Sequence, residues 1–524
     1  MNAAMADLIL TGGNLITLDS SRPRATAMAV RGERILAVGD DALVQSLAGP
    51  ETRRIDLAGK TVTPGFIDSH IHLLWYGLQL LYEADLVGST SIDEVLSRLT
   101  VQAARCDGWI RGHGFDQDKL AEKRFPTRTD LDRVSRTRPI IISRICGHAV
   151  VVNSAALALV SEEERRKGGA GGAESGLYTE NDSTPFYCAI PAASEGEMEE
   201  AGLAACHAVL KTGITSVHTL LDTPDQMIAW SRLRRAGKLP IRVTGMPPYS
   251  AVGQLYAHGI MTTFGDEWLN IGAAKLFSDG SLGAHTALLA EPYADKPDTK
   301  GIRIYDPADL KAKAADAHAK GFQLAIHAIG DQAVRETIDA IEFALGGGSN
   351  EGQGGHRHRI EHASVCPPDC VERMAKLKIV ATLQPQFVTS DTWTGVRLGP
   401  QRSRWAYPFA DLLAAGVPVT LSSDCPVERL DAFAALSSAV GRHEWSPAQG
   451  GQKLTPEQAL RAYCLGSAYA GHAEARVGSL ESGKLADFVV LSGDLTKLNA
   501  TGIAQLRAEQ VYVGGLRRDE PQSS

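Results

Sequence analysis

Short apolar runs separated by turn residues mark both ends of the chain. Near the N-terminus they cover residues 8–10, 15–18, 27–30 and 34–38, and Gly12-Gly13, Asp19-Ser20 and Arg31-Gly32 separate them. This pattern is typical of a small antiparallel β unit. It returns at residues 486–491 and 510–513. We therefore expect the two ends to pair and form one small domain from residues 1–63 and 478–519.

Between the two ends, eight apolar runs alternate with helical patterns such as residues 309–320 and 332–344. An alternation of this kind predicts an α/β fold, a closed (β/α)8 barrel of the TIM type over residues 64–477. Nearly continuous apolar runs such as 322–326 favour a parallel sheet buried on both faces. The predicted strands are 65–72, 215–219, 241–245, 271–277, 322–328, 358–363, 379–385 and 418–424.

The interval between the first two predicted barrel strands is longer than a hundred residues, far more than one crossover helix needs. It contains strand-like pieces of its own at 109–112 and 139–143. We interpret residues 80–200, approximately, as a cap or subdomain inserted after the first barrel strand. The glycine-rich runs 168–173 and 346–355 lack the phosphate-binding GxxxxGK[ST] pattern and are predicted to be loops.

Composition narrows the class of protein. Of 524 residues, 44% are hydrophobic and 22% are charged, which is ordinary for a globular protein with a sizeable core. The net charge of −8 and the dispersed basic residues disfavour nucleic-acid binding. No apolar stretch approaches the roughly twenty residues of a membrane span. The eight scattered cysteines do not form a disulfide framework. We expect a cytoplasmic protein that acts on a small molecule, with a homodimer as the default assembly.

Candidate chemistry lies where the predicted barrel strands end, because barrel enzymes place their active sites at the C-terminal ends of the strands. The residues there are of types that bind or orient a metal ion. They are His70, His72, His218, Lys275, His327, His362 and Asp424.

His70 and His72 are two residues apart in a predicted strand, so both side chains point to the same face. Neutral imidazole is a good ligand for zinc and related metals. The alternative is two unrelated loop histidines, because an isolated H-x-H pattern is common. Suitable groups at other strand ends favour the metal site.

His327 and His362 each follow apolar residues at the end of a predicted strand. A single buried histidine is more often structural, but two at consecutive strand ends favour a shared site. His356 and His358 have a glycine-rich approach that indicates loop positions. Asp424 suits a helix N-cap, and at this strand end it could instead bind metal and carry a proton.

Lys275 stands inside the apolar run 272–277, where a lone buried ammonium would be costly. One interpretation is a paired or surface lysine. The other is reaction with CO2 to give a carbamate, which would bridge two metal ions.

Several motifs in order resemble the amidohydrolase superfamily, and more narrowly the branch that contains N-substituted formamide deformylase. The resemblance extends over nearly the whole chain. Its motifs are TPGFIDSHIH at 63–72, KLFSDGSLG at 275–283, IHAIGD at 326–331, RIEHA at 359–363, SDCPV at 423–427 and GSLESGKLAD at 478–487.

This resemblance implies a (β/α)8 barrel with a composite β-sandwich domain built from both termini. It also implies a binuclear site, usually zinc, with a carboxylated, bridging Lys275. The implied metal-site residues are His70, His72, Lys275, His327, His362 and Asp424. A mononuclear site is the alternative if Lys275 is unmodified.

This sequence departs from the family pattern in two motifs, and both differences bear on substrate binding more than on the metal site. Cys146-Gly147-His148 stands where relatives often carry Asp-Gly-His, and the retained His148 is a second candidate catalytic residue that would polarise the substrate carbonyl. Gly283-Ala284-His285 stands where relatives often continue with arginine. Weaker candidates for contacts with the substrate are His113, Asp116, His218 and His285.

The resulting hypothesis is a metal-dependent hydrolase that cleaves a C–N bond in an amide, N-formyl or cyclic amide substrate. Activated hydroxide would attack the carbonyl, and Asp424 would transfer the proton. The alternatives are a deaminase on the same site and a non-catalytic binding barrel, whose signature would be loss of the ligand set.

Overall fold

The computed structural model describes residues 5–145, 147, 149–167, 172–221, 223–346, 355–442 and 451–520. The chain divides into two compact units. The first comprises Met1–His72 and Cys206–Ser524, and the second comprises Leu73–Ala205. Most of the predicted loops at 168–173 and 346–355 lie outside the described residues.

The described strands are Ala6–Thr11 (β1), Asn14–Ile16 (β2), Arg24–Ala25 (β3), Ala27–Arg31 (β4), Arg34–Gly39 (β5), Ala48–Asp56 (β6), Thr61–Pro64 (β7), Phe66–Ile71 (β8), Glu83–Asp85 (β9), Ile110–Phe115 (β10), Ile140–Arg144 (β11), Ala149–Val152 (β12), Leu177–Thr179 (β13), Ile214–Leu220 (β14), Arg242–Met246 (β15), Leu269–Ile271 (β16), Ala274–Phe277 (β17), Leu324–Ala328 (β18), Arg359–His362 (β19), Val380–Leu383 (β20), Val419–Leu421 (β21), Phe488–Leu491 (β22), Ala508–Val513 (β23) and Leu516–Arg517 (β24).

The described α-helices are Asp41–Gln45 (α1), Leu73–Tyr82 (α2), Ile92–Ala103 (α3), Arg128–Leu131 (α4), Ser154–Leu159 (α5), Glu162–Lys167 (α6), Thr184–Cys188 (α7), Glu195–Leu210 (α8), Pro224–Arg235 (α9), Tyr249–Ala257 (α10), Pro307–Ala319 (α11), Asp331–Ala344 (α12), Pro368–Leu377 (α13), Phe387–Ser390 (α14), Thr394–Arg402 (α15), Phe409–Ala414 (α16), Ala432–Gly441 (α17), Pro456–Arg461 (α18), Ser467–Ala470 (α19) and Ala500–Ala504 (α20).

The two ends of the chain share one six-stranded sheet, in the order β24-β23-β22-β7-β2-β3. Strand β22 runs antiparallel to β7 and pairs Phe488 with Pro64. A second sheet, β5-β4-β1-β6, comes from the N-terminal segment alone. One apolar cluster joins side chains from both ends, and the Phe488 ring stacks on Tyr512 with 4.3 Å between ring centroids. The two termini are therefore packed around a common core.

The terminal strands are not purely antiparallel, so that expectation is wrong in part. Strands β1 and β6 pair in parallel, and so do β2 and β7. Parallel pairing needs a long crossover connection. The strands β4 and β5 and helix α1 supply that length between β1 and β6.

Two parallel sheets occupy the middle of the first unit, in the orders β16-β15-β14-β8 and β17-β18-β19-β20-β21. Every residue of β14 and β8 is buried, as expected for strands covered on both faces. Helices follow most of these strands. The result is a mixed α/β fold whose strand ends carry the candidate residues.

Backbone contacts connect the two parallel sheets at both edges. Asp424 N donates to His70 O over 2.9 Å, and His72 N donates to Cys425 O over 2.8 Å. At the other edge Pro248 forms a parallel bridge with Lys275. Residues that follow β21 thus lie beside the end of β8.

The single predicted strand 271–277 is wrong, because it is divided between β16 and β17. Gly272 N still bonds Gly245 O, whereas Lys275 N bonds Pro247 O, so the chain changes partners between them. A Cβ on Gly272 would lie 2.6 Å from a methyl of Thr244, which shows how closely the backbone passes there.

The second unit has its own sheet, in the order β13-β12-β11-β10-β9, and two apolar clusters of its own. It spans nearly the interval that the sequence marks as an insertion. Within the described part of the whole chain, no helix combines the length and the apolar character that crossing a membrane would require.

Candidate metal centre

Five strand ends of the first unit carry the predicted ligands. His70 belongs to β8, Lys275 to β17, His327 to β18 and His362 to β19, while Asp424 follows β21. His70, Lys275, His362 and Asp424 are at most 5% exposed, and His327 and His72 are partly buried. The parallel strands bring these side chains to one end of the two sheets.

Asp424 is the point where several of these side chains meet. Its Oδ1 lies 3.3 Å from His70 Nε2 and 3.5 Å from His72 Nε2. Ligand atoms of His70, His362 and Asp424 all lie within 4.8 Å of one another. The His362 ring is 5.1 Å from that of His70 and 4.5 Å from that of His327, measured between centroids. The four imidazoles and one carboxylate form a compact cluster.

Neighbouring acceptors fix which ring nitrogen His70, His362 and His327 present. His70 Nδ1 bonds Glu361 Oε2, and His362 Nδ1 lies 2.8 Å from Gln384 Oε1. These contacts direct Nε2 of both rings to the cluster. The ring of His327 is oriented the other way: its Nε2 lies 3.0 Å from the carbonyl oxygen of Gly280, so its Nδ1 is the nitrogen available to bind a metal ion.

The electrostatics of the cluster suit metal binding. Burial lowers the pKa of His362 to about 3, and it lowers the pKa of His327 well below its usual range. Both rings are therefore neutral, which is the form that binds metals. Burial opposes ionisation of Asp424, but His70 and His72 outweigh it and hold the pKa of this carboxyl well below its usual range.

Lys275 faces the same cluster. Its Nζ lies 4.7 Å from the centroid of the Phe277 ring, and its side chain is buried. Burial is the main cause of the low pKa values of His327 and His362, and the positive charge of Lys275 also lowers both. The amine is therefore close enough to influence the histidines.

Comparison with known sequences identifies the family. The sequence family described as "Amidohydrolase family" matches residues 53–517. The chain belongs to the amidohydrolase family.

Individual relatives of this amidohydrolase align over almost their whole length. YtcJ of Bacillus subtilis is 32% identical, covering 96% of this chain and 98% of that protein. N-substituted formamide deformylase of Arthrobacter pascens is 28% identical, covering 98% of this chain and 99% of that protein. The crystal structure of an uncharacterized metal-dependent hydrolase from Pyrococcus furiosus matches with a TM-score of 0.80 at 32% identity, covering 94% of this chain and all of that one.

The remaining predicted residues of the amidohydrolase lie in other surroundings. His285 Nε2 is 3.0 Å from Asp295, and the buried His218 Nδ1 is 3.1 Å from Arg359 Nη1. In the second unit, His113 Nδ1 lies 3.3 Å from Glu83. Asp116 in the same unit lies 3.4 Å from Arg144, and His148 falls outside the described residues. Their contact with a substrate stays a prediction.

Residues that support the cluster were not found from the sequence. Glu361 and Gln384 hold the two histidines, and the buried Asp68 accepts from the backbone N–H groups of His70 and Ser423. Burial raises the pKa of Asp68 to about 6. The available signal was position alone, because Asp68 and Glu361 stand inside the same motifs as His70 and His362.

Proposed function

We propose that this amidohydrolase cleaves a C–N bond of a small amide, N-formyl or cyclic amide substrate at a metal centre. The observation that supports this most directly is the convergence of His70 Nε2 and His72 Nε2 on Asp424 Oδ1, with His362 beside them. We also propose that the two parallel sheets form one (β/α)8 barrel, since backbone hydrogen bonds or bridges connect them at both edges.

The donor set fits a divalent transition metal. Neutral imidazoles with one ionised carboxylate are the ligands that zinc commonly takes in hydrolases. His70, His72, His327, His362 and Asp424 would hold the metal. A bound metal would supply Lewis-acid activation of a water molecule and of the scissile carbonyl.

Lys275 is proposed to carry a carboxylate and so to permit a second metal ion. The ammonium would first lose one proton; the neutral amine would then form a bond to the carbon of CO2 and lose a second proton, so that a cation becomes an anion. The buried position and the influence of its charge on His70, His327 and His362 support this, because an ammonium there would repel metal ions. Two zinc ions per wild-type chain and at most one in Lys275→Ala are the expected metal contents.

Asp424 is proposed as the group that moves the proton. As a carboxylate beside the histidine ligands, with Oδ1 3.3 Å from His70 Nε2, it would be able to accept a proton from the attacking water. It would then return that proton to the leaving nitrogen. His70 and His72 orient the carboxylate through the contacts at Oδ1.

The test compares Asp424→Asn with wild type on a panel of N-formyl amines, N-acyl amino acids and cyclic amides. General acid–base catalysis contributes about 10²- to 10⁴-fold. We therefore expect turnover to fall by at least about 10²-fold in Asp424→Asn, with much of the metal still bound by the histidines. The control Asp369→Asn changes an exposed carboxylate and should retain full activity.

The products distinguish the reactions. Release of a free amine together with an acid supports the proposal, and ring opening alone supports it for a cyclic amide. Release of ammonia from a ring carbon would instead establish a deaminase. Full turnover in Asp424→Asn would overturn its assigned role.

A further inference from the structure

We infer that Glu361 is a positioning residue for His70, and that Arg359 anchors its carboxylate beneath the metal centre. This inference rests on the proposed function, because it takes His70 to be a metal ligand.

Glu361 occupies the interior between His70 and Arg359. Its side chain is completely buried, and its Oε2 bonds His70 Nδ1. Arg359 Nε bonds Oε1 of the same carboxylate, and Arg359 Nη2 lies 3.0 Å from Oε2. The guanidinium therefore grips both carboxylate oxygens in the fork geometry that fixes orientation as well as distance.

Arg359 is itself held on its remaining sides. Its Nη2 also donates to Ser69 O, in the residue before His70, and its Nη1 donates to His218 Nδ1 over 3.1 Å. A guanidinium group can only donate hydrogen bonds, so His218 must accept this one at Nδ1. The contacts of Arg359 thus reach both β8 and β14 and leave Glu361 one orientation.

Stability alone is a weak reason for this arrangement. The interior of a TIM-type barrel is ordinarily filled by branched apolar side chains. Replacing a buried ion pair with apolar residues of similar volume is often neutral or stabilising. A buried Arg359–Glu361 pair that ends on a candidate metal ligand is better explained by its action on that ligand.

The chemistry of that action follows from the tautomer. The Glu361 carboxylate accepts a hydrogen bond from Nδ1–H of His70, so Nε2, which lies 3.3 Å from Asp424 Oδ1, is the ring nitrogen left for a metal ion. The negative charge also makes the imidazole a stronger base and a better ligand. His362 has a neutral amide, Gln384 Oε1, in the same place. Of the two rings, His70 is therefore expected to bind the metal more tightly.

The experiment replaces the charge and keeps the shape. Glu361→Gln retains an acceptor for His70 but loses the negative charge. Carboxylate partners of this type typically contribute 10- to 100-fold to metal affinity, so we expect zinc affinity to fall by about that factor. Zinc affinity is measured by competition with a chromophoric chelator, and the visible spectrum of the cobalt-loaded protein reports the ligand field.

Asp487→Asn is the matched control. Asp487 forms a buried, two-point ion pair with Arg242, at 2.6 and 2.9 Å, and touches no candidate ligand. Asp487→Asn should lower the melting temperature of the metal-free protein, as Glu361→Gln is expected to do. It should leave zinc affinity within about threefold of wild type and the cobalt spectrum unchanged. Equal losses of affinity in both variants would overturn the inference, as would wild-type affinity in Glu361→Gln.

A second variant covers the case in which Glu361→Gln does not fold. Glu361→Asp keeps the charge for Arg359 but is one methylene too short to hold His70, so it should fold and still lose zinc affinity; wild-type affinity would refute the inference. His70→Ala separates the two hypotheses. If wild type binds no zinc, or if His70→Ala binds zinc as wild type does, the proposed metal centre fails rather than the role of Glu361.

Discussion

Gly330 offers a sharp test of the packing behind the candidate ligand His327. It precedes helix α12 and lies three residues after His327. Its φ of −73° is ordinary for any residue, so alanine would bring no backbone strain. An ideal Cβ would nevertheless lie 2.0 Å from Leu288 O and 2.4 Å from Leu288 C. Gly330→Ala therefore perturbs the contact between this strand end and the segment around Leu288, and little else.

The expected magnitude follows from that distance. Ordinary contact begins near 3.4 Å, so one backbone segment must move by about 1.4 Å. Overpacking of this type costs about 1–3 kcal/mol. The shift also strains the 2.8 Å bond from Gly330 N to the buried Asp279 carboxyl, and weakening it adds about 1 kcal/mol. We expect Gly330→Ala to lower the free energy of unfolding by about 2–4 kcal/mol.

The assay is denaturant unfolding of the metal-free protein, with Gly253→Ala as the matched control. Gly253 lies in helix α10 with no heavy atom near its added Cβ, so alanine there should stabilise by about 0.5–1 kcal/mol. The same substitution is thus expected to lower the free energy of unfolding at Gly330 and to raise it at Gly253. A Gly330→Ala protein as stable as wild type would refute the close packing described here.

Three further outcomes are expected. Removing the metal with a chelator should lower the melting temperature, since a metal at a hundred times its dissociation constant stabilises the folded protein by about 2.7 kcal/mol. In His362→Ala most of this difference in melting temperature should disappear. An equal response to the chelator in both proteins would exclude this site. Phe488→Ala should cost about 3–5 kcal/mol, because it empties the stacked position on Tyr512 in the shared terminal core, and a loss below about 1 kcal/mol in denaturant unfolding would contradict that packing. Burial raises the pKa of Asp391 from 3.8 to about 7, although a hydrogen bond from Tyr407 opposes the shift. The protonated Asp391 therefore contributes its full stabilisation below about pH 4, and this stabilisation is lost as the pH rises through about 7. Melting curves from pH 4 to 8 should show a smaller decline in Asp391→Asn, and an unchanged decline would show that Asp391 is not its cause.

The sequence predicted the existence of the central strands well, because continuous apolar runs and the alternation with helices are local signals. Strands β14, β18 and β19 lie within about two residues of their predicted bounds. The break between β16 and β17 was missed, since it depends on which neighbour each backbone group meets. The parallel pairing of β1 with β6 was missed for the same reason.

For the candidate centre, residue type and strand position were enough to select His70, His362 and Asp424, which the structure brings together. Glu361 was not selected although it stands beside His362. Alternation along a strand shows which face a carboxylate occupies, but its partner depends on a different strand. The pairing of Glu361 with His70 joins residues far apart in sequence, and no local pattern encodes it.

The shared terminal sheet has a consequence for biosynthesis. Strand β7 is made before its partner β22, which lies about 420 residues later in the chain. At roughly 5–20 residues per second, the ribosome needs about 20–80 s to supply that partner. During this interval the edge of β7 lacks β22, and an unpaired strand edge favours association with other chains. Folding of the terminal sheet must therefore wait until β22 has been made, and nascent chains of this amidohydrolase are expected to depend on chaperones until β22 emerges.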